Sequence, residues 1–441
     1  MKKTVLALLL ACFIIFSCAC SNNSLGSVAQ APSSNKSSSQ AESQDNLSSE
    51  SSQPPSPNTD DGITKKLSEG FTTATGFQSV ALKGKTGKTA ADFSYSLFKN
   101  AYSDSANTLI SPASVMYALA MAANGAENNT LKQIEEALGA DRDTINKYLR
   151  SYMSSLPIDG STLSLSQSVW VNLSCDVKNS FLQTNADYFN ADIFSAPMNM
   201  STVNDINKWV SDKTDGEIDR ALNSLSADDL LVLINATLFE GKWENEYKES
   251  SIRKGDFYNS NNSKARVNYL YSSEDIYISG EGYSGFVKPY AGERFAFAAL
   301  LPDSEASLSS LVSSLDGKAL ASIIENASHQ DVSVAIPEFS IKCDTPLIEI
   351  LKKMGITDAF DSKADFSSMS SEKVYLSEVD HKTSIKLNRH GTKAAASTVI
   401  KATRGSYTKP KSVILNKPFL YVIYDTEADI PAFIGTVTNL S

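Results

Sequence analysis

Apolar residues recurring three and four positions apart predict helices over residues 89–102, 114–123, 131–138 and 203–210. Short runs rich in Val, Ile, Leu and Phe predict strands over 232–239, 295–301, 332–339, 384–388 and 418–424. Helices dominate the first half and strands the second, which is the pattern of an α+β domain. Two stretches stand apart. Residues 1–20 open with Lys2-Lys3, run apolar from Val5 to Phe16 and end in small residues and cysteines. That is the form of an export leader and is too short for a membrane-spanning helix. From Ser21 to about Asp61 the chain is Ser, Gln, Asn and Pro with almost no large apolar residue, so burial cannot offset its ordering entropy. The expected organisation is a leader over 1–20, a stalk over 21–78 and one folded domain over 79–441. A disordered coil of about 50 residues reaches roughly 35–45 Å, enough to lift the domain off an envelope surface.

The most informative polar–apolar pattern lies late in the chain, in Gly391-Thr392-Lys393-Ala394-Ala395-Ala396-Ser397-Thr398. Read with the period of a strand, one phase holds Thr392, Ala394, Ala396, Thr398, Ile400 and Ala402, and the other holds Lys393 and Lys401. A strand burying the first phase buries no charge, whereas a slip of one residue would bury both ammonium groups. An Ala-rich helix is the competing reading of the same letters.

Composition narrows the chemistry. A formal charge of −10 with no basic stripe argues against a nucleic-acid partner. Of five cysteines, Cys12, Cys18 and Cys20 lie in the leader region, where Cys20 or Cys18 suits lipid attachment; an ordinary cleaved leader is the alternative. Cys175 and Cys343 read as two lone buried thiols, with a disulfide in an exported protein as the alternative, and no Cys/His cluster suggests a metal or other cofactor. Only three histidines are present (His329, His381, His390) and no G-x-S-x-G elbow, so a serine hydrolase is not expected.

Val413-Ile414-Leu415-Asn416-Lys417-Pro418-Phe419-Leu420-Tyr421-Val422-Ile423 resembles the serpin signature at every position. The resemblance holds in order over much of the chain: Asn107-Thr108-Leu109-Ile110-Ser111-Pro112-Ala113-Ser114, Val232-Leu233-Ile234-Asn235 with Phe239-Glu240-Gly241-Lys242-Trp243, Lys288-Pro289-Tyr290, Leu301-Pro302-Asp303, and Ser377-Glu378-Val379-Asp380-His381-Lys382. It implies the α+β serpin fold, with three β-sheets, about eight or nine helices and an exposed reactive-centre loop. It also implies a suicide inhibitor that forms a covalent 1:1 complex with a target serine protease. The protease cuts the loop, an acyl-enzyme forms, and the freed strand enters the central sheet. About ten new ladder hydrogen bonds at roughly 0.5–1.5 kcal/mol each would drive that step. A binding or chaperone-like serpin whose loop is never used is the alternative.

The matching positions assign roles. Gly391 to Thr398 become the hinge, free of proline as an inserted central strand requires. Ser111, Ser114, Asn235 and His381 become the cluster that governs sheet opening, and Trp243 the aromatic residue where insertion starts. Counting forward from Gly391 gives Gly405 as the residue before the cut, one beyond Arg404, and counting back from Asn416 gives Tyr407; the reading favoured is Arg404–Gly405, with Thr403, Ser406 and Tyr407 as alternatives. Arg404 suits a trypsin-like target, Tyr407 a chymotrypsin-like one, and the small neighbours Ala402, Thr403 and Gly405 an elastase- or subtilisin-like one. The sequence departs from the family at Lys393, where the family usually has glutamate, and at Arg389. There the family's glutamate pairs with a lysine at the position of Glu338, so an inverted Arg389–Glu338 bridge is expected, worth about 1 kcal/mol or less if exposed. The chain is expected to be an exported monomer, extracellular or held on the cell envelope, meeting a membrane only through a lipid anchor.

Overall fold

The computed structural model describes residues 9–18, 64–71, 76–156, 160–303, 307–392 and 411–441. The hinge residues Lys393 to Thr398, all the cut-site candidates (Ala402, Thr403, Arg404, Gly405, Ser406, Tyr407) and Cys20 lie outside the described residues.

Among the described residues are nine α-helices and two hydrogen-bonded sheets. In the central sheet, Phe339–Pro346 pairs with Val374–Asn388 on one side of a slot. Asp229–Lys242, Ser161–Asn172 and Asp192–Ala196 follow in order on the other side. The second ladder runs from Lys411–Ile414 through Ser328–Pro337, Lys264–Gly280, Tyr283–Pro289, Phe295–Pro302, Phe419–Asp425 and Ile430–Val437 to Thr108–Ile110. The two smaller sheets expected from the sequence are joined here. The 17-residue strand Lys264–Gly280 is long enough to pair with Ile252–Tyr258 and Ser328–Pro337 over most of its length and with Tyr283–Pro289 at its end.

Beneath the central sheet lies the helix Pro112–Ala123, all of whose residues are buried. Its sequence is apolar on every face, as a core helix requires. It starts where it does because Pro112 occupies the first turn and the Ser111 side chain accepts the Ser114 N–H. That start places two hydroxyls under the slot.

Three boundaries differ from the sequence reading. The strand predicted over 332–339 is two strands in different sheets, Ser328–Pro337 and Phe339–Pro346. Pro337 has no N–H to continue the ladder, and the Glu338 N–H turns to Asn268 O at 2.8 Å. The stalk, expected to run to residue 78, already joins the fold at Thr64, whose hydroxyl donates to Asp205 (2.6 Å). Lys65–Lys66 pair with the edge strand Asp192–Ala196 and Leu67 and Phe71 pack on the core, which supplies the apolar burial that residues 21–61 lack. Finally, Leu9–Cys18, within the stretch expected to be a leader, runs as a strand in the central sheet, antiparallel to both Val374–Asn388 and Asp229–Lys242. Neither Cys175 nor Cys343 is in a disulfide, and both are half-buried rather than fully buried. Among the described residues no helix is long and apolar enough to cross a membrane.

Candidate functional site

The site is the slot between Val374–Asn388 and Asp229–Lys242, two parallel strands with room for an antiparallel strand between them. Its upper end is entered by Gly391–Thr392: Thr392 pairs with Leu387 and Gly241, and Gly391 with Asn388 and Lys242. Gly391 adopts φ +131°, and a methyl group added there would sit 2.1 Å from the Gly241 carbonyl oxygen. Gly241 is itself pressed against the Tyr290 and Phe239 rings. Thr392 is fully buried, with its hydroxyl 2.7 Å from the Tyr290 hydroxyl. Burial pushes the Tyr290 phenol up, so it stays protonated. Gly391 and Thr392 are both buried at the head of the slot.

Extending this register down the slot by four residues would bring Ala396 opposite Thr383 and Thr237, the two residues that Leu10 faces. A strand continuing Gly391–Thr392 in this register would need the place, direction and register that Leu9–Cys18 holds.

Around the entrance, Trp243 donates its indole N–H to Asn388 O (2.9 Å) and its backbone N–H to His390 O (3.1 Å). Its ring stacks on Tyr290, centroids 4.6 Å apart. Behind it, Lys288 is buried and paired with the equally buried Glu274 at 2.8 Å, with its ammonium 5.3 Å from the Trp243 centroid and 4.8 Å from that of Tyr247. The expected Arg389–Glu338 bridge does not form. Glu338 instead accepts the Arg389 backbone N–H (3.3 Å) and the Asn268 amide (3.0 Å), while the guanidinium pairs with Glu249 and donates to His390 Nε2 (2.9 Å). Arg389 has turned away from Glu338 because Glu249, on the segment after Asp229–Lys242, offers a carboxylate on its outer side. Glu246 and Glu249 had no sequence signal, since Glu246 lies in a loop and Glu249 opens the single 3-10 turn Glu249–Ser251, whose path only the fold fixes.

Further down, Ser111, Ser114, Asn235 and His381 bridge the slot from below. The Ser111 N–H donates to His381 Nε2 (3.0 Å) on one strand. The Ser114 hydroxyl donates to Asn235 Oδ1 (2.6 Å) on the other, which also accepts from Thr237 (2.9 Å). Cys12 of the leader strand stands opposite both His381 and Asn235. All four cluster residues are fully buried. Burial alone holds the His381 imidazole down to about 3. The neutral ring carries its proton on Nδ1, because Nε2 is the acceptor.

A pH dependence follows. A histidine held below its ordinary value of about 6.5 favours the fold fully above that value and progressively less as pH falls toward 3. The expected loss at pH 5 is about 2 kcal/mol relative to pH 7.5. Chemical denaturation of wild type and His381→Asn at both pH values checks it: the variant should be less stable at pH 7.5 and show a flatter slope.

Comparison with known proteins fits this geometry. Residues 88–440 match the family described as serpin (serine protease inhibitor). The chain belongs to the serpin family, a class of protease inhibitors. It is 29% identical over 353 residues to mouse (Mus musculus) neuroserpin, covering 76% of this chain and 86% of that protein. Its fold is similar to the native state of tengpin, a thermophilic serpin, with TM-score 0.78 and 39% identity over 86% of this chain and all of that one. It also resembles human thyroxine-binding globulin complexed with its hormone, TM-score 0.72 and 23% identity over 80% of this chain and 98% of that one, which shows the fold alone.

Proposed function

We propose that this serpin is a suicide-substrate inhibitor of serine proteases, cut after Arg404 by a trypsin-like target and trapping it by strand insertion. The observation that carries the reading is the hinge: Gly391–Thr392 pair with both walls of the slot, with the threonine buried and the glycine fitted against Gly241. A ten-residue strand paired on both sides below it supports a sheet able to accept a further strand along its length. The remaining elements of the reading are export, loss of the leader, envelope attachment through Cys20 or Cys18, and action as a monomer on one protease at a time. The alternative use of the fold is a binding or chaperone-like serpin whose loop is never used.

Insertion has a thermal signature. Cleavage of the loop between 393 and 410 in chain lacking residues 1–20 is expected to raise Tm by roughly 10–30 °C, from about ten added ladder bonds. Calorimetry before and after limited proteolysis reads this directly, and an unchanged Tm would sink the insertion mechanism. Chain that keeps residues 1–20 should show little or no rise after the same cut, because Leu9–Cys18 already holds the register.

A further inference from the structure

Arg389 and His390 form the two-residue turn that carries the chain from Val374–Asn388 back into the sheet as Gly391–Thr392. The turn is gripped from the segment after Asp229–Lys242. Its carbonyls accept from the Trp243 and Tyr247 N–H groups, both at 3.1 Å. Its side chains meet two carboxylates of that same segment: Glu246 lies 2.9 Å from His390 Nδ1, and Glu249 pairs with Arg389. Between them, Arg389 Nε donates to His390 Nε2.

An arginine Nε always carries hydrogen and never accepts, so His390 Nε2 must be bare and the ring proton must sit on Nδ1, facing Glu246. The row Glu249, Arg389, His390, Glu246 is therefore complete only while the imidazole is neutral. A second proton on Nε2 removes the acceptor and sets an imidazolium N–H against a guanidinium N–H. The Glu246 contact survives that change and the middle link does not.

We propose that Glu249, Arg389, His390 and Glu246 form an acid-labile clamp on the hinge turn, so that protonating His390 makes loop insertion less efficient. The proposal rests on the insertion reading above and adds control by pH. A loop entering from Gly391 downward keeps the reversal at residues 389–390 while the strands part below it. A loosened reversal slows entry, and in a race against hydrolysis slower entry means more loop cut without a trap. The other charged groups at the turn are Glu338, which meets the Arg389 amide, and the Lys288–Glu274 pair, which lies behind the Trp243 and Tyr247 rings.

Two further groups on the Val374–Asn388 strand respond to acid. His381 is held neutral to about 3 by burial, and Glu378 is raised to about 7 by burial and by its hydrogen bond to Asp380. His390→Gln separates the clamp from both, because its carbonyl accepts from Arg389 while its amide donates to Glu246, and it does not titrate. The test counts inhibitor molecules consumed per protease trapped between pH 8 and 5.5, the range in which histidine changes charge. Wild type is expected to consume about threefold more inhibitor at the acid end, His390→Gln to stay flat, and His390→Leu to be inefficient throughout. Nitrogen-15 spectra of the imidazoles should show the Nδ1–H tautomer for His390 at pH 8. Equal pH slopes for wild type and His390→Gln, or an Nε2–H tautomer, would overturn the clamp. If no trap forms at any pH, the insertion reading fails, and the imidazole spectrum alone decides the clamp.

Discussion

Thr392→Arg is expected to convert this protein from a trap into a substrate that its target protease simply cuts. Thr392 is the first inward-facing residue of the hinge, fully buried, with its hydroxyl against Tyr290 and its backbone paired to both walls of the slot. Thr392 is set against Tyr290, Leu387 and Gly241, none of them charged, so insertion of an arginine there would have to bury its guanidinium against uncharged neighbours. The penalty is several kcal/mol, and it falls on the first step of entry. Since a tenfold change in rate takes only about 1.4 kcal/mol, hydrolysis should win by a factor of about 100 or more. Denaturing gels after incubation with the protease read the outcome: full cleavage of the variant with almost no adduct. The native fold should be little changed, because Thr392 ends a strand of only two residues and little pairing is lost if it leaves the slot.

The second large effect is at Lys288. Its side chain is 2% exposed, its ammonium is paired at 2.8 Å with the carboxylate of Glu274, whose side chain is 8% exposed, and it is set beside the Trp243 and Tyr247 rings. Lys288→Ala leaves Glu274 as a buried anion facing a cavity, and breaking such a pair typically costs about 3–5 kcal/mol. The damage falls directly behind Trp243, which holds Asn388 and His390 at the slot entrance. Urea unfolding should show the loss, and incubation at raised temperature should show faster conversion to loop-inserted or self-associated forms. Replacing both partners, as in Lys288→Met with Glu274→Leu, is expected to recover most of the stability, since an apolar pair of similar volume needs no desolvation.

How much of this was readable in the sequence depends on the range of the interaction. That the chain re-enters the sheet at Gly391–Thr392 was visible because small residues after a strand are a local signal, and both residues are buried there, while the alternation expected from Lys393 onward lies outside the described residues. The cluster of Ser111, Ser114, Asn235 and His381 could be named from motif positions, but that it bridges the two walls of the slot depends on where the helix Pro112–Ala123 starts beneath the sheet. Lys288-Pro289-Tyr290 was legible as a motif, whereas the buried charge pair was not, because Glu274 lies on the neighbouring strand at a register no local pattern specifies. The Arg389–Glu338 pairing failed for a related reason: charge complementarity predicts that two groups can pair but not which of several carboxylates is closest. The place of Leu9–Cys18 in the sheet was the least legible, since an apolar run reads equally as a leader and as a central strand.

The claim on which the rest depends is covalent trapping, and one experiment addresses it most directly. The chain without residues 1–20 is incubated with trypsin, then analysed by denaturing gel and by mass spectrometry of the released C-terminal peptide. The account predicts a band at the summed mass of inhibitor and protease that survives boiling in detergent, with a peptide beginning at Gly405. Clean cleavage with no adduct, repeated with chymotrypsin and elastase and accompanied by no gain in Tm, would contradict it.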